Sequence, residues 1–384
     1  MTYIIISFIL FVLYALLMVV YRIGWNGQEE INLPENFIPT VRITVVIPAR
    51  NEADNIEACI QSILNNQYAP SLLEIIIADD FSNDDTAIIA GNLLEQHKAG
   101  FVLSLSQHIS SAERLNSYKK KALELAIAAA SGELIVTTDA DCIVPEKWLQ
   151  HLAYAYQQNG AQFIAAPVSF TPAVDGGLLL YFFQSLDFMT MQGITAASAR
   201  LKLGNMCNGA NLAFSKKAFN EVDGYKGIDH IASGDDMMLM YKISKKYPTQ
   251  LVYLKQRAAI VNKPVQPTWR SFLNQRIRWS SKADKYDDKK LTWILALVYF
   301  FNLNFPALII ASLFDGRYFF VAWSLIVGKT LVELIFLHPV AKFYGKQQEL
   351  MYFPLLQPLH ILYVISAGFL GKFGTYQWKG RTVK

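Results

Sequence analysis

Residues 43–80 read ITVVIPARNEADNIEACIQSILNNQYAPSLLEIIIADD, and this stretch decides the fold of the chain. It opens on a short β-branched run (43–49) and closes on a second apolar run (73–78). Between them, isoleucines recur at helical spacing over residues 53–66. A strand, a helix and a second strand in this order predict a right-handed crossover unit with two parallel strands.

The same alternation continues toward the C-terminus. An apolar run at 101–105 predicts a third strand, and an Ala- and Leu-rich helix over 116–131 ends at Gly132 before a fourth strand, ELIVTT (133–138). The next part is less regular, with a strand, a long helix, a short strand and a helix predicted at 162–170, 176–199, 211–214 and 235–246. The pattern therefore indicates an α/β domain built on a mostly parallel sheet.

Four carboxylates directly follow the predicted strands. Asp79 and Asp80 come after the second strand, and Asp139 and Asp141 come after the fourth. Ligands of such sheets bind beyond the carboxyl ends of the strands. Because a carboxylate at such an end is costly unless a cation or a hydrogen-bond donor meets it, these side chains predict a binding site there. A divalent metal on a nucleotide diphosphate is a partner of this kind.

The chain is unusually apolar for a soluble enzyme, since 53% of its 384 residues are hydrophobic and 17% are charged. The excess is concentrated in four apolar stretches, at 3–21, 291–314, 318–338 and 351–371. The first stretch has no basic segment before it and no small-residue cleavage site, so it predicts a retained membrane anchor rather than a signal peptide. Arg22 just behind the anchor predicts an N-terminus outside and following residues in the cytoplasm.

Composition also excludes several classes of protein. The three cysteines, Cys59, Cys142 and Cys207, are widely spaced and odd in number, which argues against a disulfide framework and indicates reduced thiols packed as small hydrophobic groups. The net charge of +4 is mild, and no stacking module for nucleic acid accompanies it, so we expect no nucleic-acid partner. Eight Lys or Arg against three Asp between Lys263 and Lys290 instead predict a cytoplasmic segment beside anionic lipid.

Two later motifs complete a fixed order. The acidic pair of GDD (234–236) and the signature QRIRW (275–279) follow the carboxylates of DD (79–80) and DAD (139–141). This order resembles membrane-bound family 2 glycosyltransferases over roughly residues 43–282. The resemblance implies a GT-A type fold, that is, a Rossmann-like mixed α/β sheet in a catalytic domain flanked by transmembrane helices. The layout is similar to that of ceramide glucosyltransferases and bacterial glycolipid synthases, and the signature also occurs in processive polysaccharide synthases.

The chain then divides into six predicted segments. Their bounds are 1–22 for an N-terminal transmembrane anchor, 23–42 for a linker, 43–267 for the GT-A catalytic domain, 268–290 for an amphipathic interface helix with the basic run, 291–371 for two to three C-terminal spans, and 372–384 for a basic tail. Lys329 and Glu333, four residues apart inside one span, predict an ion pair on one helix face.

The resemblance also implies a set of residues that bind the nucleotide sugar. They are Pro48, Glu52, Asp79, Asp80, Lys119, Asp139 and Arg278. Asp139 and Asp141, two residues apart on an extended chain, lie on one side and would hold a metal ion, Mg²⁺ or Mn²⁺. Two simpler interpretations stay open, namely Glu52 as an acid near a helix N-terminus and Lys119 on a solvated helix face.

Catalytic and acceptor-binding residues are implied in the same way. Asp236 corresponds to the general base and Asp235 to its neighbour, and repulsion between adjacent carboxylates favours proton uptake by one of them. Simple acids at a helix start are the alternative. Arg278 would stabilise the departing diphosphate. The implied acceptor-side residues are Asn208, Gly209, Gln275 and Trp279.

The resemblance implies an inverting, metal-dependent transfer of a sugar from a nucleotide donor, expected to be UDP-linked, to a lipid acceptor. The expected location is the cytoplasmic face of a bacterial inner membrane. Two alternatives stay open. A processive polysaccharide synthase would need an oligomer or a partner, because four spans leave little room for a channel. A catalytically silent scaffold in envelope assembly is the other alternative, which the intact carboxylates disfavour.

Overall fold

The structure is a computed structural model of the 384-residue chain. It describes residues 1–109, 117–173, 177–204, 206–231, 234–282 and 289–374, together with the backbone of 376–378 and 381–383. Residues 375, 379, 380 and 384 of the predicted basic tail at 372–384 therefore lie outside the described residues, as does the part of the basic run at 283–288.

The strands of the described residues are short. They are β1 (Ile43–Ala49), β2 (Leu73–Asp79), β3 (Gly100–Ser104), β4 (Leu134–Thr137), β5 (Phe163–Ala165), β6 (Val168–Thr171), β7 (Leu212–Ser215), β8 (Leu251–Tyr253), β9 (Val261–Pro264), β10 (Tyr376–Trp378) and β11 (Arg381–Val383).

The helices fall into a short set near the strands and a long apolar set. They are α1 (Thr2–Gly27), α2 (Ile56–Leu64), α3 (Thr86–His97), α4 (Tyr118–Ala129), α5 (Trp148–Asn159), α6 (Leu178–Leu201), α7 (Lys216–Glu221), α8 (Asp235–Lys246), α9 (Trp269–Ser280), α10 (Lys289–Ser312), α11 (Arg317–Tyr344) and α12 (Phe353–Phe373).

Seven strands of the described residues form one sheet in the order β3-β2-β1-β4-β7-β5-β8. β1 pairs in parallel with β2 and β4, and β2 pairs in parallel with β3. β7 runs antiparallel to both β4 and β5, so the predicted mixed sheet is confirmed. The central strands β1, β2 and β4 are apolar along most of their length and buried, as expected for strands covered on both faces.

The strand order brings the predicted carboxylates to one edge of the sheet. Ala49 at the end of β1 lies opposite Asp79 at the end of β2. β4 also pairs with β1 and ends at Thr137, two residues before Asp139. Because β7 is antiparallel to β4, its first residue, Leu212, lies opposite Thr137. The segment that precedes β7 therefore enters at the same edge.

Gly132 lies in the turn between α4 and β4, and α4 ends at Ala129, two residues before the predicted end of the helix at 131. A Cβ atom on Gly132 would lie 2.4 Å from the backbone nitrogen of Thr44 on β1, which is too close for any other residue. The N–H of Gly132 donates to Thr44 Oγ1 at 2.8 Å. The glycine thus lets the chain turn tightly against β1 before it enters β4.

One predicted strand is divided in the structure. The sequence predicts a single strand at 162–170, whereas the chain forms β5 and β6 with Ala166 and Pro167 between them. Pro167 has no N–H to donate to a neighbouring strand, which disfavours a continuous strand at this point. β6 instead pairs with β9 in a separate two-stranded sheet.

The chain forms two compact units. The sheet unit comprises Glu29–Ser169 and Asn205–Pro264 and contains the seven-stranded sheet. The helical unit comprises Met1–Gln28, Phe170–Gly204 and Val265–Lys384. The domain bounds given above remain a prediction, and the long helix α6, assigned there to the catalytic domain, groups here with the helical unit.

Four helices in the described part of the helical unit are long and apolar enough to cross a membrane. They are Thr2–Gly27, Lys289–Ser312, Arg317–Tyr344 and Gln347–Phe373. They coincide with the four apolar stretches of the sequence, and their length and composition indicate association with a membrane.

A buried polar network links three of these helices. Lys329 Nζ lies 2.8 and 3.0 Å from the two carboxylate oxygens of Glu333 and 2.7 Å from Gln357 Oε1. Gln357 Nε2 donates to Glu333 Oε2 at 2.6 Å, and the hydroxyl of Tyr14 also donates to Glu333. The predicted pair on one helix face is confirmed, and both charges are satisfied within the bundle.

Candidate active site

The Asp139–Asp141 pair forms the centre of the site in the sheet unit. Oxygens of the two carboxylates and the thiol of Cys142 lie within 4.8 Å of one another. Lys263 Nζ lies between the carboxylates, 2.7 Å from Asp139 Oδ2 and 3.0 Å from Asp141 Oδ1. Burial disfavours charge on Lys263, but the two carboxylates outweigh burial and hold its pKa well above its usual value.

A backbone bridge places Lys263 beside the pair. The N–H of Ile143 donates to the carbonyl of Asn262 at 2.8 Å, and the N–H of Asn262 donates to the carbonyl of Ile143 at 2.9 Å. Ile143 follows Asp141 by two residues and Asn262 precedes Lys263. The reciprocal hydrogen bonds therefore fix the strand that carries the lysine against the loop that carries the carboxylates.

The donor set fits a hard divalent metal. Mg²⁺ and Mn²⁺ prefer oxygen ligands, which Asp139 and Asp141 supply. Burial raises the pKa of the Cys142 thiol well above its usual value, with Lys263 opposing and Asp141 adding to the shift. Cys142 therefore stays protonated and is a poor ligand. The two carboxylates are the residues that would hold a metal here.

Lys119 links this pair to the second acidic pair. Its ammonium nitrogen lies 3.1 Å from Asp235 Oδ2 and 3.9 Å from Asp139 Oδ1. Burial opposes its charge, but Asp235 and Asp139 outweigh burial and raise the pKa of Lys119. Lys119 lies in the first turn of α4, whose N-terminus is capped by Ser117. The structure thus brings two predicted carboxylates, Asp139 and Asp235, to the predicted cation Lys119.

Asp236 lies next to the predicted acceptor-side glycine. Asp236 Oδ2 accepts from the N–H of Gly209 at 2.9 Å, and Oδ1 accepts from the N–H of Met237 at 2.8 Å. The carbonyl of Gly209 accepts from Thr137 Oγ1 at 3.0 Å. A Cβ atom on Gly209 would lie 3.6 Å from Asp236 Oδ2, at ordinary van der Waals contact. These contacts fix the Asp236 carboxylate beside the end of β4.

Two asparagines shape the segment before β7. Asn208 Oδ1 accepts from the N–H of Ala210 at 3.0 Å, so its side chain helps to close the turn. Asn211 is fully buried, accepts from Trp148 Nε1 at 2.8 Å, and donates to the carbonyl groups of Pro167 and Ala259 at 2.7 and 2.8 Å. Asn211 therefore anchors the segment that presents Gly209 to Asp236.

A crevice opens at this edge of the sheet. The residues that line it are Pro48, Lys119, Leu123, Thr137, Gly209, Leu212, Phe214, Tyr225, Asp235, Asp236 and Leu239. Five of the residues predicted to bind donor or acceptor or to act in catalysis are among them. The crevice thus places residues from four separate parts of the sequence around one concave surface.

The Asp79–Asp80 pair is held by its own contacts. Asp80 is buried, and Arg50 donates to its backbone carbonyl at 2.7 Å while lying 3.7 Å from its carboxylate. Asp79 Oδ1 accepts from the N–H of Ser82 at 3.3 Å, which closes the turn after β2. The sequence predicted both carboxylates but not their cationic partner Arg50.

Glu52 lies just before α2. Its backbone carbonyl accepts from the N–H groups of Asn55 and Ile56 at 2.9 Å, and its carboxylate accepts from Asn55 Nδ2 at 2.9 Å. Its N–H donates to Thr86 Oγ1 at 2.8 Å. These contacts agree with the simpler interpretation of Glu52 as an acid at a helix start, and donor binding stays a prediction.

Gln275, Arg278 and Trp279 lie on α9 in the helical unit. The residue between them, Arg276, is almost fully buried and donates through Nη2 and Nε to Asp187 Oδ2 at 2.7 and 3.1 Å. Its guanidinium carbon lies 4.2 Å from the centre of the Trp279 ring. Arg276 therefore holds the signature helix against α6, a role that the sequence did not predict.

The side chains that sequence reasoning missed are mainly cations whose partners lie far along the chain. Lys263 is 124 residues from Asp139, and Arg276 is 89 residues from Asp187. No local spacing can predict such pairs. The sequence indicated only that some partner must exist, because a carboxylate removed from water needs a cation or hydrogen-bond donors nearby.

Lys120, the neighbour of Lys119, supports the loop that leads to α8. Its side chain is buried and donates to the carbonyl groups of Ile228 and Ile231, both at 2.7 Å. Burial lowers the pKa of Lys120 to about 8. The lysine thus satisfies two backbone acceptors a few residues before Asp235 and Asp236.

We expect Lys120→Met to destabilise the protein by about 1–3 kcal/mol, because two buried carbonyl groups lose their donor. Lys121→Met is the matched control. Lys121 is the next residue and forms a half-exposed ion pair with Glu124 at 2.8 Å, which contributes little to stability. The unfolding temperatures of the two variants in detergent check the prediction, and equal values would show that the Lys120 contacts are dispensable.

Comparisons with known proteins place this site in a family. A family model described as glycosyl transferase family 2 matches residues 44–222, and one described as glycosyl transferase family group 2 matches residues 134–366, more than half of the chain. Together the two matches cover the three acidic motifs (79–80, 139–141 and 234–236) and the QRIRW signature.

Two curated relatives agree with these matches. Glycosyltransferase AglE of Haloferax volcanii is 26% identical over 195 residues, which cover 51% of this chain and 59% of AglE. The probable glycosyltransferase YdaM of Bacillus subtilis is 26% identical over 301 residues, which cover 77% of this chain and 66% of YdaM. The chain thus spans less than two thirds of the length of either relative.

A solved structure shares the fold. Mannosyltransferase PcManGT from Pyrobaculum calidifontis, determined in complex with GDP-Man and Mn²⁺, superposes with a TM-score of 0.53 at 18% identity, over 92% of this chain and 96% of that one. This similarity confirms the predicted GT-A type fold. With a family match over more than half of its residues, the chain belongs to the family 2 glycosyltransferases.

Proposed function

We propose that this protein transfers a sugar from a nucleotide diphosphate donor, UDP-linked in the first instance, to a lipid acceptor at a membrane, with inversion at the anomeric carbon. The observation that carries the proposal is the joining of two acidic pairs through one cation. Lys119 Nζ lies 3.9 Å from Asp139 and 3.1 Å from Asp235, so a donor-side and a base-side carboxylate meet the same ammonium group.

Asp236 takes the role of general base. Its carboxylate removes the proton of the acceptor hydroxyl, and the hydroxyl oxygen attacks the anomeric carbon from the face opposite the diphosphate. The bond between that carbon and the phosphate oxygen breaks, and the nucleoside diphosphate leaves. Asp235 forms an ion pair with Lys119 at 3.1 Å, so Asp235 is the less suitable proton acceptor of the two. Asp236, which backbone N–H groups hold in place, is the carboxylate that receives the proton.

The donor is bound by residues of the strand ends. Asp139 and Asp141 would hold a divalent metal, which would supply positive charge against the phosphates of the donor. The other residues proposed to bind the nucleotide are Pro48, Glu52, Asp79, Asp80 and Lys119. Those proposed to bind the acceptor are Asn208, Gly209, Gln275 and Trp279. Arg278 balances the charge on the departing diphosphate. The presence of GDP-Man and Mn²⁺ in the PcManGT complex supports this class of donor and makes guanine nucleotides worth testing beside UDP-sugars.

A lipid acceptor is favoured by the helical unit. Four of its helices have the length and composition of membrane spans, and cations are frequent in the sequence just before α10. An enzyme anchored in this way finds a lipid substrate at the membrane surface. The proposed location is the cytoplasmic face of a bacterial inner membrane, where sugar nucleotides are available.

The proposal is tested with the purified full-length protein in detergent. UDP-sugars and GDP-mannose are supplied one at a time with Mn²⁺, Mg²⁺ or EDTA, and with or without membrane lipid extract. We expect release of nucleoside diphosphate that depends on both lipid and divalent metal, with labelled sugar recovered in the lipid fraction.

Other outcomes would overturn the proposal. Long polymer formed without added lipid would identify a processive synthase. Absence of both nucleotide binding and release with every donor would indicate a scaffold. Transfer at the full rate in EDTA would remove the metal from the proposal while leaving the transfer itself intact.

A further inference from the structure

Lys263 lies at the centre of the site, and neither the sequence motifs nor the proposed mechanism uses it. Its ammonium nitrogen lies 2.7 Å from one oxygen of Asp139 and 3.0 Å from one oxygen of Asp141. A cation that bridges both carboxylates in this way lies where a metal held by the same two side chains would place its charge.

The position of Lys263 is built into the fold. The reciprocal hydrogen bonds between Ile143 and Asn262 fix the strand, and the side chain of Lys263 is 16% exposed. The carboxylates it meets are 28% and 21% exposed for Asp139 and Asp141. Both carboxylates are therefore partly exposed to solvent, from which a ligand can reach them.

The charges of this arrangement are balanced only in part. Two carboxylates face Lys263, and Asp139 also lies 3.9 Å from Lys119. A divalent metal entering without nucleotide would meet the ammonium of Lys263 within a few ångströms, and like charges at that distance repel strongly inside a protein. A nucleotide diphosphate changes this balance, because its anionic oxygens can receive both the metal and the ammonium of a flexible lysine.

We propose that Lys263 is a resident counter-ion of the Asp139–Asp141 pair that a divalent metal must displace, so that the metal binds together with the nucleotide diphosphate and not before it. The inference rests on the proposed function, since it takes the pair as the metal site. When the metal binds, the ammonium of Lys263 leaves the carboxylates and turns to a phosphate oxygen of the donor.

The test measures Mn²⁺ binding to the full-length protein without nucleotide, from the paramagnetic resonance signal of unbound Mn²⁺. We expect Lys263→Met to bind Mn²⁺ about ten to a hundred times more tightly than the wild type, because the competing charge is removed. Lys263→Gln, also neutral, should shift in the same direction. Lys263→Arg keeps the charge and should remain weak. Lys217→Met, at an exposed lysine on α7, is the matched control and should equal the wild type.

A second measurement separates this inference from the proposed function. Binding of UDP and of GDP to the wild type is measured by calorimetry with Mn²⁺ and with EDTA, beside the double variant Asp139→Asn and Asp141→Asn. Mn²⁺-dependent nucleotide binding that the double variant loses, combined with unchanged Mn²⁺ affinity in Lys263→Met and Lys263→Gln, would overturn the role of Lys263 alone. Nucleotide binding that is indifferent to Mn²⁺ would overturn the metal site and the inference with it.

Discussion

Replacing Asp236 with asparagine is expected to lower the rate of sugar transfer by about 10²–10⁴-fold, the range in which a general base contributes to catalysis. Asparagine has nearly the same shape, and its single carbonyl oxygen can still accept from the N–H of Gly209. It cannot take a proton from an acceptor hydroxyl. The variant should therefore fold and bind nucleotide but fail in the chemical step.

The measurement is a comparison of kcat for transfer with the affinity for nucleoside diphosphate. Asp229→Asn is the matched control, since Asp229 is an exposed carboxylate seven residues earlier in the sheet unit and should retain the wild-type rate. If Asp236→Asn kept most of its activity, the base would have to be sought elsewhere in the crevice. If it lost nucleotide binding as well, Asp236 would belong to the donor site.

The position of Asp236, the proposed base, illustrates what the sequence could predict. Asp79 and Asp139 follow buried β-branched runs, and parallel strands carry their carboxyl ends to one edge of a sheet. The pairing of β1 with both β2 and β4 makes that prediction correct. Asp236 was predicted by family resemblance, since neither periodicity nor spacing connects the start of α8 with the end of β4.

The contacts that complete the site could not be predicted, because they depend on how distant segments pack. Lys263 meets Asp139 and Asp141 only because β9 runs beside the loop after β4. Lys119 was predicted as a nucleotide ligand, and nothing in its sequence context indicated that it would also pair with Asp235. The sequence patterns thus predicted where the carboxylates lie, whereas the packing of distant segments determines which lysines form ion pairs with them.

The family resemblance did not predict the structural role of Arg276. In the QRIRW signature the emphasis falls on Gln275, Arg278 and Trp279, and Arg276 stands at a position that the signature leaves open. Nothing in the sequence predicted that Arg276 would be buried. Leu273, three residues earlier on the same helix, is exposed although it is apolar. Its partner Asp187 lies on the long helix α6, and the sequence analysis assigned no role to that carboxylate.

Arg276→Met is expected to destabilise the helical unit by about 3–5 kcal/mol, the cost of leaving one partner of a buried ion pair without the other. Arg276 is 1% exposed and Asp187 7% exposed in their side chains, and two nitrogens of the guanidinium contact one oxygen of Asp187. Burial disfavours charge on Asp187, yet Arg276 outweighs it and lowers the pKa of that carboxyl. Without the arginine, burial is opposed by His360, whose Nε2 lies 3.7 Å from Asp187 Oδ1.

The double variant Arg276→Met with Asp187→Leu decides whether the cost lies in the broken pair or in the lost shape of the arginine. Two apolar groups of similar volume can replace a buried ion pair at little cost, so the double variant should recover most of the unfolding temperature lost by Arg276→Met. Arg270→Met, at an exposed arginine on the same helix, is the control and should be close to the wild type. A double variant as unstable as Arg276→Met would instead assign the stability to the packing of the guanidinium against Trp279 and Phe272, 4.2 and 4.9 Å from their ring centres.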